Sequence, residues 1–539
     1  MLGLMQDWPL LVHKIIDHAA LYHGDREVVT RSCEGPIHRT NYREIHRRAR
    51  KLASALERLG ITPGDRVATL GANTWRHLES WYGIAGMGGV YHTLNPRLFP
   101  DQLAYIANHA EDRALFFDAA LAPLVSRIAP RLKAVKHFIA LAEGAPEADF
   151  GPIRPYEDFI ADGDENYAWR TLDEKDACGL CYTSGTTGHP KGVLYSHRSN
   201  VLHAFMACQA DALGARNADA VMAVAPMFHA NAWGIAFTAP MTGAKLVLPG
   251  PKLDGASVYE LLDSERVTAT AAVPTVWLML LQYLEETGKT LPYLERVLIG
   301  GSACPRRIIE AFEKKYDVDV VHSWGMTEMS PLGTLGSLTA RAATLAEEER
   351  LAKKLQQGRP LFGVELKIVD DKNRELPRDG EAFGRLKVRG PAVVKGYFKG
   401  EGTEAFDAEG WFDTGDIASL DSEGYMTITD RAKDLIKSGG EWISSIAIEN
   451  IAVGHPCVAE AAVIGIAHPK WDERPLLIAV LKPGTRAGRK DILQYLEGKI
   501  AKWWIPDDVI FVGEIPHTAT GKILKTALRE HYGKHGSHA

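Results

Sequence analysis

The chain has 539 residues, with 62 Lys and Arg against 68 Asp and Glu for a net charge of -6, and 46% hydrophobic with 24% charged residues. At roughly 150 residues per domain that length supports two to four domains, while the slight acidic balance disfavours a nucleic-acid partner and the composition excludes wholesale disorder or a membrane bundle. Six cysteines are too few for a disulfide framework in so long a chain and point to a reducing, cytoplasmic compartment.

Met1 to Leu21 has no basic stretch ahead of its apolar residues and is interrupted by Asp7, Pro9, His13, Lys14 and Asp17, so it reads as a surface helix and not an export signal. Asn41 to Leu59 carries the basic, amphipathic spacing of a helix, and Arg66 to Gly71 follows as a short apolar strand. The same alternation returns at 80–91, 113–117, 135–141, 221–225, 245–248, 268–273 and 296–299, which predicts helices on parallel sheets in a large α/β body. Cys178 and Cys181 form a lone C-x-x-C with no second ligand pair, and they read as buried strand. Ala220 to Ala244 is the longest stretch without Asp, Glu, Lys or Arg, but Pro226, His229, Asn231, Gly234 and Pro240 would put broken or polar backbone into hydrocarbon. A strand, a turn and a helix lining a cavity are predicted there, with no membrane span. Glu347 to Glu349 reads as a solvated helix face. Beyond Gly358, short strands at 365–369, 384–389 and 425–430 joined by hairpin turns predict a β-rich subdomain. Strands at 458–465, 476–481 and 508–512 and a helix at 490–502 then predict a small separate domain, with the polar Asp430-Arg431-Ala432-Lys433-Asp434 as its pivot.

The densest chemistry lies in Tyr182 to Val193. Four hydroxyls (Thr183, Ser184, Thr186, Thr187), three glycines (Gly185, Gly188, Gly192) and Lys191 follow the predicted strand 177–182 and precede a helix-like run at 199–212. Such a loop presents backbone N–H groups, hydroxyls and one cation to a polyphosphate. It is not a P-loop, because Lys191 precedes Gly192 and no Gly-Lys-Ser/Thr occurs in it.

This string resembles the phosphate-binding signature of the acyl-adenylate-forming superfamily, which contains acyl-CoA synthetases, firefly luciferase and peptide-synthetase adenylation domains. Further motifs similar to that family's follow in order: Ser323-Trp-Gly-Met-Thr-Glu328, Trp411 to Ile417, Gly424 to Asp434 with Lys437-Ser-Gly-Gly-Glu441, and Thr520-Gly-Lys522. The resemblance covers essentially the whole chain. It implies an α/β fold in which residues 1–432 form a large domain of two α/β subdomains plus a small β-barrel-like subdomain, and residues 433–539 a small mobile α+β domain.

The resemblance also implies roles. Thr183 to Lys191 would bind the ATP phosphates. Thr327 and Glu328 offer the hard oxygen ligands that Mg²⁺ on phosphates uses, and the family makes Glu328, with Thr183, the metal site. Trp324 offers a face for adenine, with Gly301, Ser302, Ala303, Gly325, Met326 and Ile428 around the nucleotide. Asp416 would accept the ribose hydroxyls, and Arg431 would reinforce the sugar or phosphate. Lys522, alone an ordinary exposed lysine, takes the adenylating role, neutralising charge at the α-phosphorus. Lys433 is the hinge, and Ser438, Gly439, Gly440 and Glu441 line a coenzyme A channel. His229, Trp233, Gly301, Met326 and Pro331 bound the acyl pocket, with His229 also counted as catalytic.

The implied reaction joins a small carboxylic acid to ATP, giving acyl-AMP and pyrophosphate, and then to coenzyme A. Trp233, Met326 and Pro331 favour a short or medium chain. Met1 to Gln6 and Pro226 to Trp233 resemble a bacterial branch of the family, the 3-methylmercaptopropionate-CoA ligases of dimethylsulfoniopropionate breakdown. General short- and medium-chain fatty acids, a different acceptor of the acyl group, and a catalytically dead nucleotide sensor are the alternatives, and a homodimer is left open.

Overall fold

The computed structural model of the chain describes residues 1, 3–183, 190–438, 441–517 and 523–533. These fall into two compact units, one of residues 1–183, 190–365 and 389–406, the other of residues 366–388 and 407–533.

The first unit holds two sheets with the expected helix and strand alternation. In the seven-stranded sheet the order is Ile153–Pro155, His137–Ala140, Ala114–Phe117, Arg66–Leu70, Val90–Thr93, Ala177–Tyr182, Gly192–Ser196. All neighbours are parallel except the last pair, which is antiparallel. The nine-stranded sheet runs parallel from Glu27–Arg31 to Asp319–Gly325, with Ile37–Asn41 antiparallel at one edge and Leu332–Leu335 and Arg359–Pro360 antiparallel at the other.

The helix Tyr42–Arg58 shows why these residues fold so. Asn41 caps it, accepting from the Glu44 N–H at 2.9 Å. Ile45, Ala49, Leu52, Ala53 and Leu56 recur at three- and four-residue spacing and are fully buried, and Gly60 at φ +86° turns the chain away after it. This helix packs on Trp75–Gly86, every residue of which is buried. A Cβ at Gly83 would come 2.8 Å from the Ala49 carbonyl oxygen, so the two backbones touch and no larger residue fits.

Three expectations are corrected. The first helix is His13–Tyr22 only, because Pro9 lacks an N–H and disfavours a helical residue before it. The helix predicted at 490–502 is Arg489–Leu496, ended by a turn with Gly498 at φ +74°. Gly192–Ser196 is a strand, so the Ser/Thr/Gly loop joins two strands of a hairpin before the helix His197–Ala207 begins. Between Ala220 and Ala244 the expected strand, turn and helix are present as Ala220–Met222 and Ile235–Thr242 around 223–234. Cys178 and Cys181 are buried and free. Among the described residues no helix is long and apolar enough to cross a membrane.

The second unit contains the β-rich piece, an antiparallel sheet in the order Glu365–Val369, Phe383–Arg389, Phe412–Leu420, Met426–Arg431. It also contains a mixed sheet of Glu441–Ile443, Ile436–Ser438, Asp472–Leu481 and Val458–His468, with Asp508–Phe511 pairing parallel to Asp472–Leu481. Ser445–Val453 and Arg489–Leu496 cover this sheet around Ile448, Ile492 and Leu496.

Burial keeps several histidines of the first unit neutral, and it pulls the His203 pKa down to about 4 from 6.5. The His203 Nε2 accepts the Leu332 N–H at 3.1 Å, which a protonated ring cannot do. Because the folded value lies below the unfolded one, the contribution of His203 is complete above about pH 6.5 and is lost as pH falls toward 4. A His203→Gln variant, which can still accept that bond, should therefore lose less stability between pH 6.5 and 4 than the parent, read as a shallower fall of the unfolding midpoint. An unchanged slope would refute the assignment.

Candidate active site

The Ser/Thr/Gly loop leaves the sheet through a closed neck. Tyr182 and Gly192 are register partners, the Thr183 N–H donates to the Lys191 carbonyl at 2.9 Å, and the Lys191 N–H donates to Thr183 Oγ1 at 3.2 Å. Ser184, Gly185, Thr186, Thr187 and Gly188 lie outside the described residues. The Lys191 ammonium meets Glu404 Oε1 at 3.2 Å and sits 5.1 Å from the Tyr397 ring centroid. Gly402, at φ +61°, makes room for it, since a Cβ there would come 2.6 Å from Lys191 Nζ.

Tyr397 links this cation to Glu328. Its hydroxyl donates to Glu328 Oε1 at 2.7 Å, and burial, reinforced by the Glu328 carboxylate, raises the Tyr397 pKa and keeps the phenol protonated. The Glu328 side chain is buried, and its backbone is pinned by two further bonds: Tyr195 Oη to the Thr327 carbonyl at 2.7 Å and the Val394 N–H to the Glu328 carbonyl at 2.9 Å. A cation, a phenol and a carboxylate thus converge beside the mouth of the loop.

The strand Asp319–Gly325 delivers the remaining motif residues. Its ladder shifts register between Trp324 and Gly325, and a Cβ on Gly325 would lie 1.9 Å from the Pro331 carbonyl oxygen, so only glycine fits. The Met326 N–H donates to that same carbonyl at 2.9 Å, which brings Met326 and Pro331 together. Trp324 is only 7% exposed and packs over Gly333, so it offers little open face. Gly301, Ser302 and Ala303 follow the strand Arg296–Ile299 and stay open to solvent, Ser302 most of all.

His229, half-buried, precedes a run that sequence reasoning did not foresee. Ala230, Asn231, Ala232 and Trp233 all have positive φ, at 43°, 55°, 50° and 53°. Each such residue costs about 1–2 kcal/mol without compensation. The run brings Trp233 to Gly301: Cζ2 of the indole is 3.7 Å from the place a Gly301 Cβ would occupy.

In the second unit, Asp416 and Arg431 face each other across the Phe412–Leu420 and Met426–Arg431 ladder. The Arg431 Nε lies 2.8 Å from Asp416 Oδ1, with Asp416 buried and Arg431 partly exposed. Gly415 at φ +72° shapes the bend before Asp416, whose N–H donates to Thr414 Oγ1 at 3.1 Å. Ile428 sits half-buried on the neighbouring strand. Lys433 is exposed, but its neighbours are anchored: Asp430 Oδ2 accepts from Ser445 N and Oγ at 2.6 and 2.7 Å, and Asp434 pairs with Arg529. The polar segment is therefore held at both ends by hydrogen bonds and an ion pair, with Lys433 exposed between them. Ser438 is buried and takes a bond from Arg474 at 3.3 Å. Gly439, Gly440, the Glu441 side chain and Lys522 lie outside the described residues.

The residues sequence reasoning missed are Tyr397, Glu404 and Tyr195, together with the groups that hold the left-handed run. Of these only Asn231 stands in a motif, and no local spacing ties any of them to its partner.

The chain matches the family model of the AMP-binding enzyme over residues 16–398, and that of the AMP-binding enzyme C-terminal domain over residues 447–522. It is 52% identical over 534 residues to a 3-methylmercaptopropionyl-CoA ligase of Ruegeria lacuscaerulensis, covering 99% of each chain. It is 49% identical over 535 residues to a medium-chain-fatty-acid CoA ligase of Ectopseudomonas oleovorans, covering 99% of this chain and 98% of that one. Among solved structures, an anthranilate CoA ligase in complex with anthranoyl-AMP superposes with a TM-score of 0.87 at 26% identity, covering 99% of this chain and 100% of that one.

Proposed function

Because this chain belongs to the AMP-binding enzyme family, we propose that it is an AMP-forming acid-thiol ligase that activates a short, neutral-tailed carboxylic acid with ATP and passes the acyl group to coenzyme A. The observation that carries this reading is the convergence of Lys191, Tyr397 and the buried Glu328 beside the neck of the hydroxyl- and glycine-rich loop. The favoured acid is 3-methylmercaptopropionate, the acid named in the Ruegeria relative. A medium-chain fatty acid is the second reading, favoured by the near-equal identity to the Ectopseudomonas ligase.

A carboxylate acylates poorly because its leaving group would be oxide. Attack of its oxygen on the α-phosphorus of ATP expels pyrophosphate and leaves an acyl carbon bearing AMP, a good leaving group. The coenzyme A thiol, with a pKa near ~8.5, then attacks that carbon and AMP departs. The protein's work is positioning and charge neutralisation. Lys191 and the loop hold the β- and γ-phosphates, Asp416 and Arg431 the ribose, and Lys522 the reacting α-phosphate. Glu328 suits Mg²⁺, which on phosphates needs only one or two protein oxygens. With Thr183 it would hold the ion, which supplies further charge neutralisation. Residues 433–539 then turn about Lys433 so that the thiol, led past Ser438 to Glu441, replaces Lys522. A cytoplasmic location and a homodimer belong to the same proposal.

ATP–pyrophosphate exchange that needs the acid but not coenzyme A, followed by thioester formation when coenzyme A is added, tests the reaction. Comparing kcat/KM for 3-methylmercaptopropionate, butyrate, hexanoate and palmitate tests the acid, and a preference for palmitate would end the short-pocket reading. Glu404 occupies the lysine that the phosphates need. Glu404→Gln should lower KM for ATP by about threefold, in keeping with a weak exposed ion pair, and leave KM for the acid unchanged. A KM for ATP that stays put or rises counts against Lys191 as a phosphate ligand.

A further inference from the structure

The left-handed run that carries Trp233 is held by a closed ring of three buried side chains. Tyr91 Oη donates to Asn231 Oδ1 at 3.0 Å, Asn231 Nδ2 donates to Asn200 Oδ1 at 3.1 Å, and Asn200 Nδ2 donates back to Tyr91 Oη at 2.9 Å. Within the ring each member gives one bond and takes one, so the ring polarises in a single sense, and Asn200 Nδ2 also donates to Cys178 Sγ at 3.3 Å. Tyr91 is itself locked. Its ring stacks on Trp81 at 4.7 Å and 9°, and a Cβ at Gly179 would come 2.5 Å from Tyr91 Cζ, so the strand feeding the Ser/Thr/Gly loop is bare where the phenol lies. The far end of the run is also fixed. Gly234, at φ +81°, leaves no space for a Cβ, which would lie 2.7 Å from His203 Cε1, and Thr238 Oγ1 donates to its carbonyl at 2.8 Å.

We propose that Tyr91, Asn200 and Asn231 are positioning residues that set the chain-length selectivity of the ligase by holding Trp233 against Gly301. The inference rests on the acyl pocket proposed above. Asn is among the few residues that enter the left-handed region readily, but Ala230, Ala232 and Trp233 have no such tendency. What keeps them there is the Asn231 side chain, tied to two distant elements. With the ring broken, the run relaxes toward right-handed backbone. The indole then leaves Gly301, and the volume it occupied is open to further methylenes.

The experiment compares kcat/KM for butyrate, hexanoate and octanoate, with KM for ATP as control, in the parent, Trp233→Ala, Tyr91→Phe and Asn231→Gly. Tyr91→Phe removes one hydroxyl and two of the three ring bonds while keeping the stack on Trp81. Asn231→Gly keeps access to the left-handed region and removes the side chain. If the ring positions Trp233, both ring variants raise KM for butyrate and move the octanoate-to-butyrate ratio of kcat/KM by about tenfold in the direction that Trp233→Ala does, at unchanged KM for ATP. One folded ring variant, judged by its unfolding transition, suffices. A ratio that matches the parent in either, while Trp233→Ala shifts it, overturns the positioning role and leaves the pocket standing. A ratio unmoved by Trp233→Ala removes the pocket reading, and the proposal falls with it.

Discussion

Replacing Lys522 with alanine is expected to lower acyl-adenylate formation about a thousandfold, in the range found when a preorganised charge is taken from a phosphoryl or acyl transition state. Thioester formation from synthetic acyl-AMP and coenzyme A should stay within about twofold of the parental rate, because by then the α-phosphorus no longer reacts. The contrast between half-reactions matters more than either number. A lysine that merely supported folding would depress both, and one that bound coenzyme A would depress the second alone. His517 and Ile523 form a bridge, and the Leu524 N–H donates to the Pro516 carbonyl at 2.8 Å, so the chain on either side of 518–522 is closed into a neck. The helix Lys525–Tyr532 starts just beyond. Pyrophosphate exchange at the parental rate in the Lys522→Ala enzyme would remove the adenylation step as proposed.

Much of the site is legible in the sequence where it depends on neighbours in the chain. The spacing of Thr183, Lys191 and Gly192 gathers hydroxyls, a cation and glycine in one loop, while Trp324 to Glu328, Asp416 and Arg431 are singled out by the resemblance of their motifs, and the structure joins Thr183 to Lys191 and Asp416 to Arg431. The parallel strands were readable because burial on both faces makes them continuous apolar runs. Gly192–Ser196 is not legible as a strand, since Leu194 is exposed between the buried Val193 and Tyr195 and the run merges with the hydroxyl-rich residues that cap the next helix. Tyr397 reaches Glu328 from 69 positions away. Asn231 is held by partners 31 and 140 positions away, and although Asn231 itself enters the left-handed region readily, nothing announces a positive φ at Ala230, Ala232 or Trp233. Such groups are fixed by the packing of separate strands and helices, and no spacing rule within one segment contains that information.

Lys525 gives the largest expected stability change. It lies on the helix that follows the 518–522 segment and is 9% exposed. Its Nζ is 2.7 Å from Glu449 Oε1 and 2.5 Å from Ser445 Oγ, and Ser445 passes a bond of 2.7 Å on to Asp430 Oδ2. Burial alone pulls its ammonium toward the neutral form, but Glu449 and Asp430 outweigh it and hold the pKa above its ordinary value. Burial pushes both carboxyls up in turn. Removing the cation therefore leaves two largely buried acids facing each other without a counter-charge. Lys525→Ala should cost about 3–5 kcal/mol of the second unit's unfolding free energy. Adding Glu449→Gln should return part of it, because the neutral amide needs no counter-charge. Denaturant unfolding followed through Trp442, Trp471, Trp503 and Trp504, all in that unit, reads both effects. A Lys525→Ala loss below about 1 kcal/mol would place the lysine among the weak exposed ion pairs, and the helix Lys525–Tyr532 would then owe its place to Leu528 and the apolar contacts around it.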